Sequence, residues 1–172
     1  MVDATNLSKV SKLSTRLILR FATADDVPEL VSHRRRMFED MTAAGGEEYT
    51  AAGLDSMDTA YAAQLRAEMP LGATRAWVIE DGGKIVASGA IRFADWLPRP
   101  DGKKRGMVYV HSVYTVPAYR RRGLARRILQ AMIEDCRAQG WPRITLHASE
   151  AGLPLYESLD FVPTNEMRLV LE

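Results

Sequence analysis

Apolar and polar positions along the 172 residues change period several times, and each change marks an element. Leu17-Ile18-Leu19-Arg20-Phe21 is a short apolar run that predicts a first strand. Val27, Leu30, Val31, Met37, Phe38 and Met41 then fall on one helical stripe, to which Arg34 adds its aliphatic stem. Thr23, with Asp26 after it, supplies the start signal for this helix, and Gly45-Gly46 breaks it. An Ala- and Leu-rich stretch over 51–67 predicts a second helix that ends before Pro70. Trp77 to Glu80, the turn Asp81-Gly82-Gly83 and Lys84 to Ile91 read together as a β-hairpin. Pro98, Pro100, Asp101 and Gly102 mark a loop, and Met107 to Val116 is the next strand.

Downstream of Gly123, Leu124, Ile128, Leu129, Met132, Ile133 and Cys136 form a second clear helical stripe. Gly140 stops that helix and Pro142 follows it. Arg143 to Ala148 reads as a buried strand, Leu153 to Leu159 as a short helix, and Phe161 onward as a closing strand or strand pair. This alternation is mixed α/β. Met107–Val116 and Arg143–Ala148, joined by one helix, are expected to pair in parallel through a right-handed crossover. Residues 1–15 lack apolar periodicity and read as a flexible N-terminal tail; 16–172 read as a single domain, within the usual size range.

Composition narrows the setting. Hydrophobic residues at 47% and charged residues at 26% are ordinary for a globular domain. A net charge of +1 argues against bulk adhesion to nucleic acid or to an anionic membrane. Cys136, the single cysteine, cannot form an internal disulfide, which suits a reducing cytoplasmic location. The first residues have no apolar core of the kind a signal peptide needs, and no apolar run reaches membrane-spanning length. No Cys/His or paired-carboxylate set has metal-ligand spacing, so no metal is expected.

The near-neutral total conceals two opposed stretches. Met37 to Leu65 contains no Lys or Arg but holds Glu39, Asp40, Glu47, Glu48, Asp55 and Asp58. Arg99 to Arg127 holds Arg99, Lys103, Lys104, Arg105, Arg120, Arg121, Arg122, Arg126 and Arg127 against Asp101 alone. A basic run of this kind is commonly a solvated face or a nucleic-acid patch, but it lacks the interleaved aromatics of a nucleic-acid surface.

Chemistry concentrates where the strand Val113-Tyr114-Thr115-Val116 meets Pro117 and then Arg120-Arg121-Arg122-Gly123-Leu124-Ala125. A Gly-containing loop opening a helix turns several backbone N–H groups toward one point, at the positive end of the helix dipole. Phosphate is the usual occupant of such a site. Arg120-x-x-Gly123-x-Ala125 resembles the acetyl-CoA signature of the GCN5-related N-acetyltransferase (GNAT) family. A second stretch, Ser149-Glu150-Ala151-Gly152-Leu153-Pro154-Leu155-Tyr156-Glu157-Ser158-Leu159-Asp160-Phe161, resembles that family's Asn-x-x-Ala-x-x-Leu-Tyr-x-x-x-Gly-Phe. Here Ser149 replaces the usual Asn and Asp160 the usual Gly, a residue still tolerant of left-handed geometry.

The resemblance implies a GNAT-type mixed central sheet of about 6–7 strands with a splayed parallel pair, and about four helices. It implies acetyl-CoA as co-substrate, its pantetheine arm against the backbone of Val113, Tyr114 and Thr115. Its pyrophosphate is expected on the N–H groups of Arg121, Arg122, Gly123, Leu124, Ala125 and Arg126, with Ser149 beside the arm. Tyr156 takes the position of the general acid that protonates the departing thiolate. A cationic acceptor amine must also lose a proton before it attacks. His111, two positions before Val113, is the first candidate for that base; strict alternation places it on the strand face of Tyr109, Val113 and Thr115. His147 and Glu166 are the others.

The implied activity is acetyl transfer from acetyl-CoA to a primary amine of a small molecule, by direct attack in a ternary complex. A non-catalytic acyl-CoA-binding sensor on the same fold is the alternative. Asp40, Glu47 and Glu48, beside Met37, Phe38, Met41 and Tyr49, would favour a cationic acceptor such as a polyamine or an aminoglycoside-like compound. A peptide N-terminus or a lysine side chain is the competing acceptor class. Dimers are common in the family, which allows a homodimer; no nucleic-acid or membrane partner is expected.

Overall fold

Four antiparallel strands carry the fold in a computed structural model that describes residues 17–98, 100 and 106–170. The tail expected at 1–15 lies outside the described residues, as do Arg99 and Asp101 to Arg105 of the basic stretch. Strands β1 (Ile18–Phe21), β2 (Thr74–Asp81), β3 (Lys84–Ala94) and β4 (Met107–Thr115) lie side by side in chain order. Helices α1 (Val27–Ala43) and α2 (Ala51–Glu68) precede β2, while α3 (Leu124–Ala138) and α4 (Leu153–Glu157) follow β4.

Alternation along the strands sorts the core into two layers. Ala76, Val78 and Ala90 face α1 and α2, where they meet Val27, Leu30, Tyr61 and Leu65. Trp77, Ile79, Ile91, Val108 and Val110 face the other way, onto Leu124, Ile128, Leu129, Met132 and Cys136 of α3. The start of α1 is built as its sequence suggests. The Thr23 N–H donates to the Asp26 carboxylate at 2.7 Å, and Arg20 grips the same carboxylate at 2.7 and 2.9 Å.

One irregularity in β4 governs everything built on it. The β3–β4 register slips between Ser88 and Ala90, and Ser112 takes φ 55, in the left-handed region. This extra residue interrupts the period of two. Val113 therefore packs into the α3 layer, while Ser112 meets Arg34 of α1 and Tyr114 meets His33 of α1. The expectation that His111, Val113 and Thr115 share one strand face is corrected by this bulge. Gly89 lies opposite it; a Cβ there would stand 2.9 Å from Met132 Cε and 3.1 Å from Ile128 Cγ2. Only a glycine lets α3 pack this close to the strand backbone.

The sheet is smaller than expected. Among the described residues it has four strands, and Arg143 to Ala148 contributes only one parallel bridge, Tyr109 to Thr145. Two hydrogen bonds make it, Val110 N–H to the Thr145 carbonyl and Thr145 N–H to the Val108 carbonyl, each 2.8 Å. Residues 161–170 form no strand: Val162, Met167, Leu169 and Val170 are 76%, 96%, 83% and 78% exposed. An alternating pattern needs a partner edge to become a strand, and these residues have none among the described ones. Among the described residues, no helix is long and apolar enough to cross a membrane.

Candidate active site

The first motif falls on the loop between β4 and α3, which opens directly into the helix. Gly123 sits at φ 75, and a Cβ added to it would meet nothing within 4 Å, so the space in front of it is open. The first backbone bond of α3 runs from Arg127 N–H to the Gly123 carbonyl, and among the described residues the N–H groups of Arg121 to Arg126 have no backbone acceptor. Arg121 is also left-handed, at φ 60. Free N–H groups, a helix N-terminus and flanking guanidinium groups together suit a pyrophosphate. The donor set fits the diphosphate of a CoA ester.

Arg120 ties this loop to two other parts of the site. Its Nε donates to the Thr115 carbonyl at 3.0 Å, and its other end forms an ion pair with Asp40 on α1. The acidic and basic stretches therefore meet instead of lining opposite mouths. Glu47 accepts a hydrogen bond from the Tyr49 hydroxyl at 3.0 Å. The acidic rim invoked for a cationic acceptor is partly spent on these contacts.

Tyr156 stands on α4, which Arg126 pins against the first turn of α3: Nη2 donates to Ser158 Oγ at 2.5 Å and Nη1 to the Ser158 carbonyl at 3.3 Å. The phenol rests edge-on against Phe161, with ring centroids 5.8 Å apart. No hydrogen bond engages its hydroxyl among the described residues. Burial, and secondarily the nearby Tyr109, raises its pKa above the ordinary phenol range, which keeps the proton in place. Ser149 does not point free into the groove: its Oγ and carbonyl accept from the Gly152 N–H at 3.3 and 2.9 Å, forming the turn into α4. Asp160 adopts φ 65, taking the left-handed geometry for which the family motif uses glycine.

The three base candidates occupy two different environments. His111 is enclosed on the α2 side of β4, with Nδ1 3.1 Å from Ser112 Oγ and 3.5 Å from the Tyr61 hydroxyl, and Nε2 buried without a partner among the described residues. Burial, then the field of Arg34, pushes its pKa down to about 4. His147 is half exposed: Nδ1 lies 2.7 Å from the Tyr109 hydroxyl and Nε2 2.9 Å from Glu166. His147 and Glu166, singled out separately in the sequence, are thus one linked pair.

A second buried histidine was not read from the sequence. His33 lies fully buried on α1, with Nδ1 2.8 Å from Ser88 Oγ. Glu29 Oε1 is 3.2 Å from Nε2 but off the hydrogen-bonding direction, so burial prevails and the pKa falls to about 4. Both histidines bind fewer protons folded than unfolded between pH 6.5 and about 4. Stability is therefore expected to be intact above pH 6.5 and to fall as pH drops through that window. The combined slope is up to about 3 kcal/mol per pH unit, since each group contributes at most about 1.4. Urea midpoints measured from pH 7.5 to 4.5 check this, and replacing His33 by Asn should flatten the curve.

Open N–H groups at a helix start, tied to a second helix that bears a free phenol, are the kind of arrangement an acyl-CoA transferase needs. The comparisons with known proteins agree. Residues 35–161 match the model of the acetyltransferase (GNAT) family, and the chain belongs to that family. It is 28% identical over 122 residues to glucosamine 6-phosphate N-acetyltransferase of Trypanosoma brucei brucei, covering 70% of this chain and 80% of that one. A GCN5-related N-acetyltransferase from Ralstonia eutropha superposes with TM-score 0.81 at 25% identity, over 91% of this chain and 99% of that one. A predicted acetyltransferase from Clostridium acetobutylicum, solved with acetyl-CoA, gives TM-score 0.80 at 26% identity, over 91% and 96%. The chain is a GNAT-type acyltransferase.

Proposed function

We propose that the protein transfers the acetyl group of acetyl-CoA to the primary amine of a small molecule, by direct attack within a ternary complex. The observation that carries this is the Arg126–Ser158 tie, which fastens the helix bearing the free Tyr156 hydroxyl to the open cradle at Gly123. A diphosphate held at the cradle and a thioester near Tyr156 would be the two ends of the acetyl-pantetheine arm of one acetyl-CoA molecule. The small-molecule acceptor is supported by the trypanosomal relative, whose name specifies an amino sugar phosphate.

The reaction balances with side chains of this chain. The amine nitrogen bonds to the acetyl carbon, the carbon–sulfur bond breaks, and the thiolate takes the Tyr156 proton. The proton lost by the amine passes to His147, which lies between Glu166 at 2.9 Å and Arg168 at 3.4 Å; the Tyr109 hydroxyl links His147 to the pocket. His111 stays neutral and shapes the pocket wall. Val113, Tyr114 and Thr115 offer the β4 edge, past its last bond to Thr145, as the surface for the pantetheine arm.

Release of free CoA on adding acetyl-CoA and a panel of primary amines tests the function; silence across the panel, with acetyl-CoA bound, would defeat it. His147→Gln should lower turnover about 10–1000-fold near neutral pH, with recovery at high pH as free amine accumulates. His111→Gln should mainly lower the melting temperature. The opposite pattern in the two pH–rate profiles would return the base to His111.

A further inference from the structure

Helix α1 carries three consecutive arginines, and the fold treats them differently. Arg35 is held by Glu39 at 3.2 Å and by Asp55 and Asp58 at 2.7 Å each. Arg36 lies 3.9 Å from Glu29. Arg34 has no carboxylate within ion-pair distance among the described residues. Its Nη1 donates to Ser112 Oγ at 2.7 Å, and its buried Nε has no partner. The guanidinium carbon stands 4.8 Å from the Tyr61 ring centroid and 5.1 Å from that of Phe38.

Two aromatic faces hold a cation in place without neutralising it. A guanidinium has several N–H donors in a fixed fork, and Arg34 uses one of them inside the protein. Leaving a partly buried cation short of acceptors costs free energy that an incoming anion would recover. The surrounding carboxylates do not compete for it. Glu68, whose field reaches Tyr61 and His111, is engaged by Arg92 at 3.0 Å and by the Thr74 hydroxyl. Asp40 is engaged by Arg120. The place also matters: Ser112, which Arg34 touches, directly precedes Val113, where the β4 edge becomes available to the acetyl-bearing arm.

From this juxtaposition we infer that Arg34 is the acceptor-recognition residue, and that the acceptor is a small primary amine bearing an anionic oxygen group, carboxylate or phosphate, that pairs with its guanidinium. The inference rests on the acetyl-transfer reading above and names the acceptor within it. Pairing at Arg34 anchors one end of the acceptor beside the bulge and leaves the amine at the other end to reach the thioester. An Arg fork suits either anion, since both present two oxygens side by side.

Matched probes test it: β-alanine against β-alaninamide for the carboxylate, and phosphoethanolamine against ethanolamine for the phosphate, with spermidine as the cationic control. With wild-type protein, at least one anionic probe should exceed its neutral partner about 10-fold or more in kcat/KM, and which one identifies the anion. Arg34→Gln should remove that preference, mainly by raising KM for the anionic probe. The KM for acetyl-CoA and the rate with the neutral amine should stay within about twofold. Arg34→Lys should keep part of the preference. Calorimetric titration of phosphoethanolamine or β-alanine into CoA-loaded protein gives the same comparison without turnover.

Wild-type protein that favours spermidine or the neutral probes overturns the inference while leaving acetyl transfer standing. So does an Arg34→Gln loss that is equal for neutral and anionic probes, because that marks a purely structural arginine. Should Arg34→Gln not fold, the wild-type probe ranking and Arg34→Lys decide the matter. No CoA release with any amine defeats the functional reading itself.

Discussion

Tyr156→Phe should lower kcat about 10–1000-fold while leaving the KM for acetyl-CoA almost unchanged. The hydroxyl has no hydrogen bond among the described residues, so its removal strands no partner and costs the folded state little. The ring, which packs against Phe161, is retained. What disappears is a proton needed only when the thiolate leaves, and an interaction confined to the transition state appears in kcat alone. Steady-state kinetics with an alkylamine acceptor, alongside a melting curve, separates this from a packing defect. Full turnover in the variant would take Tyr156 out of the mechanism.

Gly123→Val should abolish measurable acetyl-CoA binding. Two effects act together. The residue sits at φ 75, where a β-branched side chain is strained by about 1–3 kcal/mol. Its side chain would also project into the open space at the helix start, which is the site proposed for the phosphates. Acetyl-CoA should raise the melting temperature of the wild-type protein by mass action and leave that of a folded Gly123→Val protein unmoved. A folded variant with wild-type affinity would refute the cradle.

The parts of the site that were legible in the sequence are those set by local chemistry. The Gly123 turn, the stripe of α3 and the Tyr156 helix each depend on neighbours a few residues away, so spacing alone reveals them. Asp160 in left-handed geometry belongs to the same group. What was not legible depends on distant partners. Arg143 to Ala148 has a strand's composition but a single bridge to β4, because pairing depends on a distant edge and not on composition. Arg34 falls on the apolar stripe of α1 and reads as a stem; only the approach of Ser112, Tyr61 and Phe38 shows what its charged end does. The acidic and basic stretches look opposed along the chain, and Asp40 meets Arg120 only once the sheet brings them together. His147 and Glu166 likewise become a pair through folding alone.

The bulge at Ser112 has a consequence for how such a pocket can change over time. Substitutions at Arg34, Tyr61 or Tyr109 alter its lining one group at a time and leave the frame in place. Loss of Ser112 would remove the extra residue and the hydroxyl that Arg34 holds, yet restored alternation would keep Val113 in the α3 layer and Tyr114 toward α1. Acceptor preference can therefore drift by exchange of side chains or by loss of the bulge residue, and the strand frame survives both.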